Sequence, residues 1–128
     1  MSTTHSPLVA KARRAAAMLV AAIGGDCAVV ISTADGFDLA HAGDRAAEPA
    51  RFAAMMSSFA AVGAAASQEA GIGLPRCMVV ESTQGRLVVR CLQFGGEPIV
   101  IMLLTDKSVL LGLALNQLSA VERSLNGA

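Results

Sequence analysis

The sequence predicts an α/β domain of the α+β type: three helices around a single, largely antiparallel five-stranded sheet, in the order α-β-β-α-β-β-β-α. Three observations carry this. A β-branched apolar run at 27–33 and a short returning segment at 37–41 flank Asp35-Gly36, and Asp-Gly supplies the positive φ that a tight hairpin needs. Residues 52–68, FAAMMSSFAAVGAAASQ, carry no charge and repeat at helical spacing. Residues 98–105 contain PIVIMLL, a continuous apolar run of the kind found in a central strand covered on both faces. Hairpins dominate the connections, so the sheet is antiparallel, and helices before, between and after the strands can cover both of its faces.

Each element has a local reason. Residues 1–7 are expected as a flexible tail before a single domain over 8–126. Ser6-Pro7 is a helix start, a capping hydroxyl followed by Pro at the first helical position. Leu8, Ala12, Ala15, Leu19 and Ala22 share one face of that helix, and Gly24-Gly25 ends it. A loop over 43–48 leads to Pro49, which opens the long neutral helix, and Gly71-Ile72-Gly73 closes it. Strands follow at 76–81, 86–93 and 98–105, with turns at Ser82-Thr83-Gln84-Gly85 and Gly95-Gly96. Asp106 or Ser108 is expected to cap a last helix reaching Leu125, with Leu111, Leu115, Leu118 and Leu125 as its core stripe and Gly127 beyond its end.

The neutral helix sets the functional expectation. At about 100° per residue, Phe52, Met55, Phe59, Val62 and Ala66 fall on one stripe, expected to face the core. Ala53, Met56, Ala60, Ala64 and Ser67 form an adjacent face of small residues around one Met, where a second helix can approach closely. The third face, Ala54, Ser58, Ala61 and Ala65, is neutral too. A helix with no charged side is usually buried on more than one side, and contiguous apolar patches are rare on monomers, so the chain is expected to self-associate. An Ala-rich surface helix is the competing reading, since Ala is a strong helix former. A membrane span is disfavoured: seventeen residues reach roughly 25 Å against a hydrocarbon core of roughly 30 Å.

Composition excludes other classes. Lys plus Arg and Asp plus Glu both number 10, so nothing electrostatic favours nucleic acid or an anionic membrane. Aromatics are 3%, too few for a platform on which bases stack. Lys11, Arg13 and Arg14 read as the solvated side of a helix. The first residues are polar, with no signal-peptide core, which makes the cytoplasm the default location. Cys27, Cys77 and Cys91 lack metal spacing and are expected as reduced thiols. A hairpin centred on Gln84 would set Cys77 opposite Cys91, where a cross-strand disulfide is conceivable. No P-loop and no GxSxG elbow occur, Ser57 and Ser58 lie mid-helix, and His5 and His41 have no evident partners. The expectation is therefore no catalytic residue, no cofactor and no metal.

Several landmarks in order resemble the Roadblock / dynein light chain family, most closely its prokaryotic GTPase-regulator members. They are the amphipathic first helix, the segment from Ala28 to Asp35-Gly36-Phe37, the Ala- and Met-rich middle helix, Gly85-Arg86-Leu87-Val88-Val89-Arg90, and Val109-Leu110-Leu111-Gly112-Leu113 before the last helix. The resemblance spans about residues 8–125. It implies two helices on one face of the sheet and the middle helix on the other. It implies a homodimer through the middle helix and third strand, with Ala53, Met56, Ala60, Ala64, Arg76, Met78 and Val80 at the interface, although a heterodimer with a related chain stays open. It implies a non-catalytic bacterial regulator or scaffold that binds a small Ras-like GTPase. A small-molecule sensory module of the PAS or GAF type is the alternative, with Met55, Met56, Met78 and Met102 lining an adaptable pocket.

Overall fold

The computed structural model describes residues 6–24, 26–43 and 48–126. In chain order the elements are α1 (Ser6–Ile23), β1 (Cys27–Thr33), β2 (Asp38–Gly43), α2 (Pro49–Glu69), β3 (Cys77–Glu81), β4 (Gly85–Phe94), β5 (Glu97–Asp106) and α3 (Leu111–Leu125). The expected order of elements holds. The five strands form one sheet in the order β2-β1-β5-β4-β3, every neighbouring pair antiparallel.

Strand alternation divides the core in two. Val29, Ile31, Val88, Ile101 and Leu103 point to one face, where Leu8, Ala12, Ala15 and Leu19 of α1 and Ala114, Leu118, Val121 and Leu125 of α3 cover them. Val30, Val89, Val100 and Met102 point to the other, beneath Ala53 and Met56 of α2. The apolar run in β5 is thereby explained: it is the middle strand, and Ile99 through Leu103 are buried whichever way they point.

The first hairpin follows from its turn residues. Thr33 N–H donates to the Phe37 carbonyl at 2.9 Å, and Phe37 N–H donates to Thr33 Oγ1 at 3.0 Å. Gly36 takes φ 98° at the end of this turn, where a residue with a β-carbon would be strained. At the far end of β2, Gly43 has φ 108°, and a β-carbon there would collide with the Cys27 carbonyl.

Some boundaries and one register differ from expectation. The first helix includes Ser6 and Pro7, the last two residues of the expected 1–7 tail, and residues 1–5 lie outside the described residues. So do Gly25, residues 44–47 of the expected loop, and Gly127. In α1 Ala22 is exposed and Ile23 closes the core stripe instead. The last helix starts at Leu111 with Leu110 as its N-cap; Asp106 Oδ1 instead accepts from Ser108 N–H at 2.9 Å within the preceding turn. Cys77 pairs with Arg90, not Cys91. A shift of one residue moves a side chain to the opposite face, so the two thiols sit on opposite sides of the sheet. None of the three cysteines is in a disulfide.

Candidate self-association surface

The placement of α2 is decided by small residues. Ala53 is 1% exposed and Met56 6%, and both lie against the sheet. Gly63 follows on the same side, and a β-carbon on it would run into Met78 Sδ of β3. Ala53, Ala60 and Gly63 keep the helix low over the strands, while Phe52 and Phe59 pack at its margins. Ser57 anchors it laterally, its hydroxyl donating to the Ala34 carbonyl of the first hairpin at 2.7 Å.

This rotates the helix relative to the expected faces. Ala53 and Met56, expected at a surface between chains, are covered within one chain. Of the expected core stripe, Phe52 and Phe59 pack against the core, but Met55 is 53% and Val62 67% exposed, and Ala66 is exposed as well. The physical reason is volume. Ala53, Ala60 and Gly63 let the helix backbone approach a sheet of Val and Met side chains closely, Met56 fills the space between them, and the bulkier Met55 and Val62 are left at the flank.

Met55, Phe59, Val62 and Ala66 consequently form one open flank of α2. The sheet face is also incompletely covered. Val80, Leu87 and Leu104 form a row across β3, β4 and β5, in which Val80 is exposed and the other two are half-buried. Met78, in the neighbouring row, is half-buried. β3 is an edge strand, so one row of its backbone N–H and C=O groups has no strand beside it. An apolar helix flank, an apolar sheet margin and an open strand edge thus belong to the same side of the molecule.

Two other features border this surface. On the opposite flank of α2 a groove of about 340 Å³ is lined by residues that include Ala60, Ala61, Ala64, Cys91, Pro98 and Val100. None of Met55, Met56, Met78 and Met102, expected as pocket lining under the sensor reading, borders it; Met56 and Met102 are buried in the core. On the α1/α3 face, Arg76 joins Arg90, Ser119, Glu122, Arg123 and Asn126 around a cleft of about 430 Å³. Arg76 is thus exposed on the side of the sheet opposite Met78 and Val80. Arg90 is buried and donates to Glu122 Oε1 at 3.0 Å and to Ser119 Oγ at 3.3 Å. Burial pushes the Cys77 thiol up from its ordinary value, and the nearby charge and hydrogen bond of Arg90 oppose that shift. Burial raises Cys91 too, with Cys77 adding to it. The sequence reading missed this arginine cleft, because Arg76 and Arg90 stand far from Glu122 in the chain; the lone charge inside the LVVRCL run was its only trace.

No protein-family model matches the sequence, and no curated protein matches it. Solved structures do. The chain is similar to an MglB with a tetrameric arrangement, at 18% identity over 98% of this chain and 90% of that one, with a TM-score of 0.77. It is similar to MglB of Myxococcus xanthus at 15% identity over 98% and 90%, TM-score 0.74. It is also similar to a Roadblock/LC7 domain from Streptomyces avermitilis at 19% identity over 87% and 91%, TM-score 0.75. The chain has a Roadblock-type fold. Within that fold, the open surface is built from the middle helix and the edge strand β3. The PAS or GAF alternative is not favoured. Among the described residues, no helix is long and apolar enough to cross a membrane.

Proposed function

We propose that this chain is a non-catalytic bacterial regulator or scaffold that works as a homodimer and binds a small Ras-like GTPase in signalling, polarity or motility. The observation that carries the self-association is the coincidence of the open α2 flank with the free β3 edge. A second copy placed there extends the sheet through β3 and covers Met55, Phe59 and Val62, removing both an apolar patch and an unpaired strand edge from water. The interface in this reading keeps Met78 and Val80 from the sequence expectation, adds the open flank, and drops Ala53 and Met56, which are buried, and Ala60 and Ala64, which line the groove on the other flank. Arg76 belongs to it from the opposite face of the sheet.

The GTPase reading is supported at the level of fold. One similar structure is the gliding protein MglB from Thermus thermophilus, at 19% identity over 92% of this chain and 87% of that one, TM-score 0.77. A binding surface of this kind acts on a GTPase by favouring one arrangement of its switch segments through differential affinity, while the GTPase keeps its own nucleotide and magnesium. Sedimentation equilibrium tests the first step, with a dimer expected and a monomer at high concentration refuting it. Nucleotide-loaded GTPases from the same genome test the second. Binding that depends on the bound nucleotide is the expected result, and indifference of every candidate to the protein refutes it.

A further inference from the structure

The edge of β3 dictates how a second copy can join it, on the self-association reading above. Arg76 C=O accepts from Cys91 N–H at 3.0 Å and Ser82 N–H donates to Gly85 C=O at 2.9 Å, so the even-numbered residues of β3 turn their backbone groups toward β4. The N–H and C=O groups of Cys77, Val79 and Glu81 therefore face the open edge. A two-fold axis normal to a continuous sheet must keep every side chain on its own face, so it sets one residue opposite its own copy. Centred on Val79, the midpoint of Cys77–Glu81, it pairs all three outward-facing residues. Centred on Met78 or Val80, it pairs two.

The Val79 register sets Cys77 opposite Glu81 of the second copy, on the α1/α3 face. Cys77 is in register with Arg90 on the next strand, and its side chain is short. Behind it opens the cleft of Arg76, Arg90, Arg123 and Glu122. Three arginines and one glutamate line it, in a chain whose formal net charge is zero. The Arg90–Glu122 pair uses a single guanidinium nitrogen, and among the described residues neither Arg76 nor Arg123 has a carboxylate within ion-pair distance. Glu81 is the complementary group. Its side chain is 59% exposed, and Arg86 Nε engages only Oε1, at 2.9 Å, leaving Oε2 for a second cation. Guanidinium and carboxylate match in shape as well as charge.

We infer that Glu81 of each copy seats its carboxylate at the mouth of the other copy's Arg76–Arg90 cleft, and that these two symmetric contacts fix the register of the β3–β3 pairing. The test is a charge-reversal cycle on the full chain, read as dimer dissociation constants by sedimentation equilibrium at low ionic strength. Arg76→Glu and Glu81→Lys each weaken association by about tenfold or more, and the double variant returns to within about threefold of the unaltered chain. Glu81→Gln removes the charge at nearly constant shape and weakens association by a few-fold, with an unchanged circular dichroism spectrum. Single variants as tight as the unaltered chain overturn the inference while leaving self-association through β3 standing, and so do losses that the double variant does not recover. An unaltered chain that remains monomeric overturns the reading beneath it.

Discussion

The two faces of the sheet are built by different rules. On one, α1 and α3 lay conventional amphipathic stripes over β1, β4 and β5 and turn Arg13, Arg14, Asn116 and Arg123 to solvent. On the other, a single helix without a charge from residue 52 to 68 rests on Ala53, Met56 and Gly63 and leaves Met55 and Val62 exposed. The first face is finished within one chain; the second is not. A polar outer surface is what a helix needs to end a protein in water, and between Arg51 and Glu69 α2 offers no charge to build one. The difference separates residues that hold the fold from residues available to a partner.

Substitutions on the two faces should therefore fail in different ways. The largest effect is expected on the finished face: Leu118→Ala, at a fully buried position of α3, should cost about 2–5 kcal/mol in urea unfolding. Ser57→Ala should cost about 0.5–1.5 kcal/mol, because it removes the one side-chain hydrogen bond from α2 to the first hairpin among those described; an unchanged unfolding midpoint would show that small-residue packing alone positions the helix. Val62→Ser on the open flank should change the unfolding free energy of the isolated chain by less than about 0.5 kcal/mol while weakening self-association in sedimentation. Equal losses of stability from Leu118→Ala and Val62→Ser would break the contrast.

The smallest effect concerns the thiols. Cys77 and Cys91 are raised above their ordinary value of 9.0 in the folded chain. Below 9.0 both states hold these protons and stability does not vary with them. Above it the unfolded chain releases protons that the folded chain retains, so stability falls as pH rises, until the folded thiols ionise too. Unfolding midpoints across this alkaline range should decline less steeply in Cys77→Ser than in the unaltered chain.

Much of this architecture is legible in the residues themselves. Asp35-Gly36 marks the first hairpin, Pro49 the start of α2, and the unbroken PIVIMLL run the middle strand, because each depends on backbone constraints or burial that a short segment expresses alone. The rotation of α2 about its axis is not legible. A helix whose every side is neutral carries no phase in its hydropathy, and only its fit to the sheet, through Gly63 over Met78, sets which stripe is inward. The expected Cys77–Cys91 register fails for a related reason: the Ser82–Gly85 turn admits two registers one residue apart, and the choice depends on contacts beyond the hairpin. The arginine cleft unites segments distant in the chain, so only the folded sheet assembles it.

The strand order has a consequence for how the chain reaches its native state. β5 is the last strand to leave the ribosome, yet it lies between β1 and β4 and joins the two hairpins into one sheet. Until residue 106 has emerged, β1–β2 and β3–β4 are separate ribbons, each marginal alone. Closing Cys27 onto Thr105 is a long-range step of the kind that slows folding and holds apolar segments exposed while it waits. Truncation before β5 therefore does not trim this domain; it divides it.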